Sequence, residues 1–465
     1  MDKRISDHST PLLTNKDEIP PVTFVRKLWE ENKMVWHIAG PSILISIFQY
    51  SMAFVTQTLI GHIGTLELAA VGLQNLVVSG ISFGVMLGMA TALETLCGQA
   101  YGAGKMRMLG IYLQRSWLIL LGTSIPLTLI SIFATPLLSL LDQNRDIAEV
   151  AGTYSIWMIP QLFMYALNFP MQRFLQAQSK VWAMACISFR VLAFHIPLSW
   201  FCIMKWGLAG AAGSLNLAWV LLVILQYAYI ASGHCKDSWS GFSWLDFYDL
   251  LGFLRLSLAS AVMLCLEYWY LMNLIVLAGL LKNAKIEVDA ASICMNIEGW
   301  IFMVPLGFIA AVSVRVSNEL GAGNAAAAKF SVWVTVSIAL VTQIAFALLI
   351  FFTRNNFPKL FTNNKDVMKH VSELAEFLCV TIFLSSIQPI LSESTGMAVG
   401  AGWQGSVAYI NIATYYLIGL PAGIYMGLIL DYGLEGLWGG VIVGVGLQTI
   451  ILLIMAWRTD WDKEI

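Results

Sequence analysis

Long apolar segments recur along this chain, and they decide which folds are open to it. We find twelve of them, each close to the ~20 apolar residues that a helix needs to cross a lipid bilayer. A segment inside a bilayer must satisfy its own backbone hydrogen bonds, so we expect helices. The approximate limits of predicted helices 1 to 12 are residues 34–59, 68–97, 110–134, 148–172, 183–204, 208–232, 251–281, 289–315, 329–352, 370–397, 405–429 and 434–457.

The composition agrees with a membrane protein and argues against several other classes. Hydrophobic residues make up 58% of the 465 and charged residues 12%, which is too apolar for a soluble domain of this length. No basic patch supports nucleic-acid binding, and no HExxH motif, P-loop or pair of intramembrane aspartates supports an enzyme. The cysteines have no CxxC spacing. We therefore predict a lipid-embedded protein that is not an enzyme, with no nucleic-acid partner, metal or cofactor.

The distribution of basic residues indicates which side of the membrane the termini face. With an even number of spans both termini share a side, and 18 of the 26 Lys and Arg residues fall on it. Basic residues collect in cytosolic loops, so we predict cytosolic termini. The predicted parts are a loose cytosolic N-terminal tail, an N-lobe (helices 1–6), a cytosolic linker, a C-lobe (helices 7–12) and a cytosolic C-terminal tail, at residues 1–33, 34–232, 233–250, 251–457 and 458–465.

The two halves of the chain repeat each other. Helix 2 ends in "ETLCGQAYGAG" and helix 8 in "RVSNELGAG", so that Gly102 matches Gly321 at an offset of 219 residues, and similar offsets recur elsewhere. A duplicated unit of six helices inserts twice in the same orientation and leaves a shared cavity between its copies. We therefore predict an all-α integral membrane fold, with twelve transmembrane helices in two pseudo-symmetric six-helix bundles.

One carboxylate stands in the middle of an apolar helix. Glu267 lies within "SAVMLCLEYWYLMNLIVLAGLL", where a charge costs several kcal/mol unless it faces a wet cavity or is neutralised. Burial without a nearby cation favours the protonated form, which suits a group that loads and releases protons. Ser260 and Tyr270 are its predicted neighbours on the same helical face. The alternative is a structural glutamate satisfied by a serine or a backbone carbonyl.

Other polar residues inside the predicted helices are candidates for lining the cavity. Gln49 occupies the place of Glu267 in the first half, at an offset of 218, so the second lobe is the better candidate for proton coupling. Asn75 and Asn296 are equivalent to each other, and they either line the cavity or bridge two helices. Glu298 follows Asn296 by two residues, about 200° around a helix, so the two cannot share a face.

Four segments, in order along the chain, resemble the multidrug and toxic compound extrusion (MATE) transporters, and specifically their plant detoxification branch. They read "ALETLCGQAYGAG", "CLEYWY", "SVRVSNELGAGN" and "GAGWQGSVAYINIATYYLIGLP", and the resemblance covers about residues 30–460. Among plant members the chain is most similar to those linked to flavonoids. The resemblance implies alternating access by two bundles, with export or sequestration of small organic compounds in exchange for protons.

The resemblance also implies roles for individual residues. The wording "CLE-x-W" places the family's proton-linked glutamate at Glu267, with Tyr268 and Tyr270 beside it as candidate substrate contacts. Many plant relatives carry an aspartate in helix 10 where this chain has Ser385, so a scheme with two carboxylates does not transfer. Ser385 and Gln388 share a helical face there, and we expect both to line the cavity.

A second departure from the family pattern follows in the same helix. The segment "ILSESTGMAVGAGWQ" is three residues longer than the family's usual wording, as though Glu393, Ser394 and Thr395 were inserted. Three residues rotate a helix by about 300°, so helix 10 either bulges there or this form is impaired.

The remaining predictions concern partners and location. We expect a monomer that takes a small organic substrate and uses protons as coupling ions. The segment "DHSTPLL", Asp7 to Leu13, resembles an acidic dileucine signal and favours the vacuolar membrane over the plasma membrane. A lipid-linked flippase of the same superfamily and a channel remain the alternatives.

Overall fold

The computed structural model describes residues 21–140, 145–242, 250–278, 280–281, 284–361, 364–392 and 403–458, and every regular element within them is a helix. We number the membrane helices in chain order. They are α1 (Pro21–Ile60), α2 (Leu66–Gly102), α3 (Met106–Ile132), α4 (145–177), α5 (181–206), α6 (208–234), α7 (Leu250–Ala278), α8 (Ala284–Gly321), α9 (Ala325–Thr353), α10 (Lys365–Ser392), α11 (403–429) and α12 (Gly433–Arg458).

The described helices give the predicted number of spans, although ten stretches meet a simple length and hydropathy criterion. One of these, Val181–His234, is a hairpin of two helices, α5 and α6, that reverses at Gly207. Gly207 has φ 58°, a conformation that favours glycine, and the hydroxyls of Ser199 and Ser214 meet at 3.4 Å across the hairpin. With α4, which a turn at Met158 divides into two shorter helices, the count reaches twelve.

Most predicted limits lie within a few residues of the observed ones, and α1 is the exception. Residues 21–33, which we expected to belong to a loose tail, form the first turns of α1. Pro21 starts the helix, a position where the missing N–H costs nothing, and no Gly or Pro interrupts the next eighteen residues. The segment from Glu393 to Thr395 lies outside the described residues.

Side chains pack into one core for each lobe and a third core that joins them. The N-lobe core is formed almost entirely by α1–α6 and includes Met52, Tyr154 and Trp219. The C-lobe core comes from α7–α12, with Leu274 and Trp438 among its buried members. Because a third cluster draws on both lobes, they meet over a packed interface, chiefly α1 against α8 and α2 against α7.

The matched Gly-Ala-Gly segments hold the two lobes together on one side, which we call the terminus side because α1 begins and α12 ends there. A Cβ at Gly102 would lie 1.9 Å from the backbone oxygen of Asn318, and a Cβ at Gly321 would lie 2.1 Å from that of Gln99. Neither distance leaves room for a side chain. The ends of α2 and α8 therefore approach as closely as they do because both carry glycine.

An ion-pair cluster adds to this contact. Arg315 of α8 binds Glu31 of α1 through two hydrogen bonds of 2.9 Å and also lies 2.8 Å from Glu319. Such two-pronged pairing with a carboxylate fixes geometry as well as charge. The cluster ties the helical extension of α1 to the opposite lobe, so the terminus side is closed in this conformation.

Candidate functional site

Four neutral side chains from three helices converge on the carboxyl group of Glu267. Its Oε1 accepts hydrogen bonds from Gln388 at 3.1 Å, Ser392 at 3.4 Å, Asn411 at 3.3 Å and Gln448 at 3.4 Å. The donors belong to α10, α11 and α12, whereas Glu267 belongs to α7. The carboxyl group therefore points into the C-lobe, away from lipid, and binds together the helices of that lobe.

The chemistry of these partners suits a group that changes protonation. Amides and hydroxyls both donate and accept, so by rotating they can serve a carboxylate in one state and a carboxylic acid in the other. An arginine or lysine would instead favour the ionised carboxylate. Glu94 has such a cationic partner, Arg173, at 2.6 Å. No cation of the described chain pairs with Glu267 in this way.

A break in α10 places two of the donors. The regular helix ends at Leu384, and residues 385–387 form a turn in which Ile387 N–H bonds only three residues back. Pro389 follows, and because proline has no N–H it cannot donate the helical hydrogen bond to the Ser385 backbone oxygen. Gln388 and Ser392 then lie one helical turn apart on the same face, towards Glu267.

Two of the predicted neighbours of Glu267 have other partners. The Ser260 hydroxyl donates to the Leu256 backbone oxygen one turn earlier. Tyr270 is 1% exposed, stacks on Tyr415 with centroids 4.4 Å apart, and donates to the Gly440 backbone oxygen. Tyr270 thus packs α7 against α11 and α12 inside the lobe, and its role as a substrate contact stays a prediction.

Other predicted residues do lie where the lobes meet. Tyr268, one residue after Glu267, turns to the N-lobe, where its hydroxyl would be 3.0 Å from a Cβ at Gly80. Asn296 is exposed one turn before Trp300, on the side of α8 where Trp300 contacts α1. Both residues are therefore placed at the inter-lobe face.

Aromatic rings that the sequence analysis did not single out surround this face. Trp300 packs edge-on against Tyr50 at 4.9 Å and against Phe54 at 5.3 Å. In the sequence they are indistinguishable from the many aromatic residues that face lipid. Their role becomes visible only where α1 crosses α8.

Gln388 is buried and bonded to Glu267, so it joins the cluster directly. Ser385 is half-buried in the turn of α10, and no described hydrogen bond connects its hydroxyl to Glu267. Asn75 is half-buried in a π-helical stretch, Gln74–Ser79, within α2. Neither is brought into contact with the cluster.

The N-lobe carries amides at the matching positions but no carboxylate. Gln49 stands at the place of Glu267, and Asn168 and Gln226 stand within a few residues of the places of Gln388 and Gln448. Each of the three N-lobe amides has at least one buried atom without a hydrogen-bond partner. Of these matched positions, those of the C-lobe include a carboxyl group and those of the N-lobe do not.

Three members of the cluster were not predicted from the sequence: Ser392, Asn411 and Gln448. A signal existed for two of them, because Asn411 and Gln448 are isolated amides in the apolar contexts "AYINIATYY" and "GVGLQTI". Isolated amides in transmembrane helices commonly bond across to another helix. The sequence does not say which helix that is.

Comparison with known proteins places this arrangement in a family. The MatE family model matches residues 41–201 and 259–425, one range in each lobe. Protein DETOXIFICATION 33 of Arabidopsis thaliana is 53% identical over 98% of this chain and 96% of its own length. Protein DETOXIFICATION 29 of the same plant is 51% identical over 96% and 90%.

Solved structures agree in fold. The crystal structure of the eukaryotic MATE transporter AtDTX14 matches with a TM-score of 0.90 at 33% identity, over 94% of this chain and 98% of that one. The Vibrio cholerae MATE transporter VcmN in its bent form matches with a TM-score of 0.78 at 18% identity, over 93% and 98%, which shows the shared fold alone. This chain, with its two six-helix lobes, belongs to the MATE family of membrane transporters.

Proposed function

We propose that this transporter is a proton-coupled antiporter, which exports or sequesters small organic compounds by alternating access of its two lobes. Every group that the mechanism needs lies within one chain, so we propose that it acts as a monomer. The observation that carries the proposal is the Glu267 cluster, a carboxyl group inside one lobe whose described partners are neutral and able to exchange donor and acceptor roles.

Proton binding at Glu267 would change the contacts between α7 and the helices α10, α11 and α12. The carboxyl group links α7 to α10, α11 and α12, so protonation changes the hydrogen bonds that hold these four helices together. The adjacent Tyr268 contacts α2 of the other lobe. Glu267 is therefore adjacent in sequence to a residue of the inter-lobe face. We propose that this adjacency couples proton binding at Glu267 to substrate binding at that face.

The inter-lobe face suits flat, largely apolar substrates. Tyr50, Phe54, Tyr268 and Trp300 present aromatic surface, and Asn296 adds an amide that can orient a polar group. We propose flavonoid-like secondary metabolites and xenobiotics as the substrate class. A flippase for anionic lipid-linked head groups would need cationic side chains, and none of these five residues is cationic.

Coupling to protons supplies enough free energy for accumulation. Each pH unit across the membrane is worth ~1.4 kcal/mol per proton, or about a tenfold concentration ratio. A membrane potential of about 100 mV adds ~2.3 kcal/mol for each charge moved. One or two protons per substrate therefore suffice. We propose that the terminus side faces the cytosol, which the excess of Lys and Arg on that side supports.

The proposal is tested by uptake into vesicles that hold the purified full chain, with a panel of flavonoid glycosides, alkaloids and organic acids. We expect at least one compound to accumulate against its gradient when the lumen is acidic, and to leak back when an uncoupler is added. A channel would equilibrate the compound without concentrating it, whether or not the uncoupler is present. Equilibration alone would therefore contradict the antiporter.

We also propose that the protein resides in the vacuolar membrane. The support is the acidic dileucine-like segment that ends in Leu12 and Leu13. In plant cells, we expect a fluorescent fusion of the whole chain to label the vacuolar membrane, and Leu12→Ala with Leu13→Ala to redirect it to the plasma membrane. Unchanged vacuolar labelling by the double variant would rule out this signal.

A further inference from the structure

Glu298 is a membrane-embedded carboxylate that the proposed mechanism leaves without a task. It lies on α8, is 6% exposed, and has a fully buried Oε2 with no hydrogen-bond partner. Within the part of the chain that the structure describes, its carboxyl group forms no ion pair and accepts no hydrogen bond. An ionised carboxylate in such a place has nothing to replace its lost hydration.

Three other glutamates within the helices have compensating partners. Glu94 lies beside Arg173, Glu31 beside Arg315, and Glu267 among amides. Within the described ranges Glu298 has neither kind of partner, so binding a proton is how it would avoid an uncompensated buried charge.

Among the described residues, the helices packed around Glu298 bring no charged side chain to it. Gly299, the next residue, turns towards Tyr50 of α1, and the titratable group near Glu298 is the Cys294 thiol one turn earlier on α8. Neither α9 nor α10 directs a described charged side chain at it.

Glu298 lies at nearly the depth of Glu267 but in a different environment. Glu267 precedes the end of α7 at Ala278 by eleven residues, and Glu298 follows the start of α8 at Ala284 by fourteen, so the two differ by about one helical turn in depth. Glu298 is absent from the hydrogen bonds around Glu267. The two carboxyl groups are therefore separate sites in one lobe.

The fold itself does not require a carboxylate at this position. Asn296 matches Asn75 of the N-lobe at an offset of 221 residues, and by the same offset Glu298 matches Val77. Val77 is a partly buried apolar residue of the N-lobe. By the offset of 219 that matches the ends of α2 and α8, Glu298 corresponds to Ser79 instead. By either offset the N-lobe has a residue without a charge at this place, so packing alone does not explain the glutamate.

We propose that Glu298 is a second proton-binding site of the C-lobe, distinct from Glu267, which gives up its proton to water and regains it once in each transport cycle. The inference rests on the proposed antiport function. It predicts that two protons, rather than one, drive each substrate molecule.

Infrared spectroscopy of the full chain in lipid nanodiscs tests the bound proton directly. We expect the carbonyl band of a protonated carboxylic acid that shifts in D2O, disappears on alkaline titration, is lost in Glu298→Gln and survives in Glu267→Gln. A band that is unchanged by Glu298→Gln, or that neither exchanges nor titrates, would overturn the proposal. If Glu298→Gln fails to fold, Glu298→Val takes its place in this test. In either case, wild type and Glu267→Gln must both show the titrating band.

Vesicle uptake tests whether this proton is transported. The probe is the neutral flavonoid quercetin 3-glucoside or, if wild type does not concentrate it, the uncharged panel compound that wild type concentrates most. With the membrane potential clamped at zero and a gradient of about one pH unit, each coupled proton contributes about a tenfold accumulation ratio. We expect Glu298→Gln to lower the steady-state ratio about tenfold while keeping it above one, and an unchanged ratio would overturn the proposal. If wild type concentrates no panel compound, the antiport function fails, and the titrating infrared band then decides whether Glu298 binds a proton.

Discussion

Replacement of Glu267 by glutamine should abolish proton-driven accumulation. Glutamine has the shape of glutamate, and its side-chain oxygen can still accept from Gln388, Asn411 and Gln448, so we expect normal folding and insertion. It cannot bind or release a proton. Because Glu267 carries the hydrogen bonds that join α7 to α10, α11 and α12, we expect a proton at Glu298 to drive no transport without it. At a gradient of about one pH unit, the accumulation ratio should therefore fall from about tenfold or more to about one.

The measurement is uptake into vesicles that contain equal amounts of wild type and variant. Glu376→Gln serves as a matched control, because Glu376 is an exposed carboxylate of the same lobe paired with Arg354, and such surface pairs contribute little. The control should accumulate substrate like wild type. Concentrative uptake by Glu267→Gln would show that a proton bound elsewhere can drive transport without Glu267.

Replacement of Gly102 by alanine should prevent closure of the terminus side. The new Cβ would lie 1.9 Å from the Asn318 backbone oxygen, well inside normal contact distance, so the ends of α2 and α8 must move apart. A backbone oxygen cannot swing away as the end of a flexible side chain can. We expect uptake to drop at least tenfold, since the cycle needs the conformation in which this side is sealed.

The same variant has a structural readout. Spin labels at Lys105 and Ala326, placed in a cysteine-free background on the terminus side of the two lobes, should report longer distances in Gly102→Ala than in the parent. Gly122→Ala is the control, because no side-chain or distant backbone atom lies within 4 Å of its Cβ position. Unchanged label distances and full uptake in Gly102→Ala would mean that this glycine contact does not limit closure.

The local pattern of residues was enough to locate the membrane helices. A run of about twenty apolar residues can cross a bilayer only as a helix or as part of a closed barrel, so the number and approximate limits of the membrane helices follow from composition. The start of α1 could not be predicted from composition, because residues 21–33 are mostly polar. They are helical as an N-terminal extension of the apolar helix that follows them. Their position is fixed by Glu31, whose partner Arg315 is 284 residues away.

The sequence by itself determined the twelve-helix class, the duplication and the identity of Glu267 as an exceptional residue, because each depends on spacing along the chain. Only the tertiary structure decided what surrounds that residue. Asn411 and Gln448 approach Glu267 from helices 144 and 181 residues further on, whereas Tyr270, three residues away, turns to the lobe core. Helical periodicity says which neighbours along the chain share a face, but the packing of α7 against α10, α11 and α12 decides which side chains meet there.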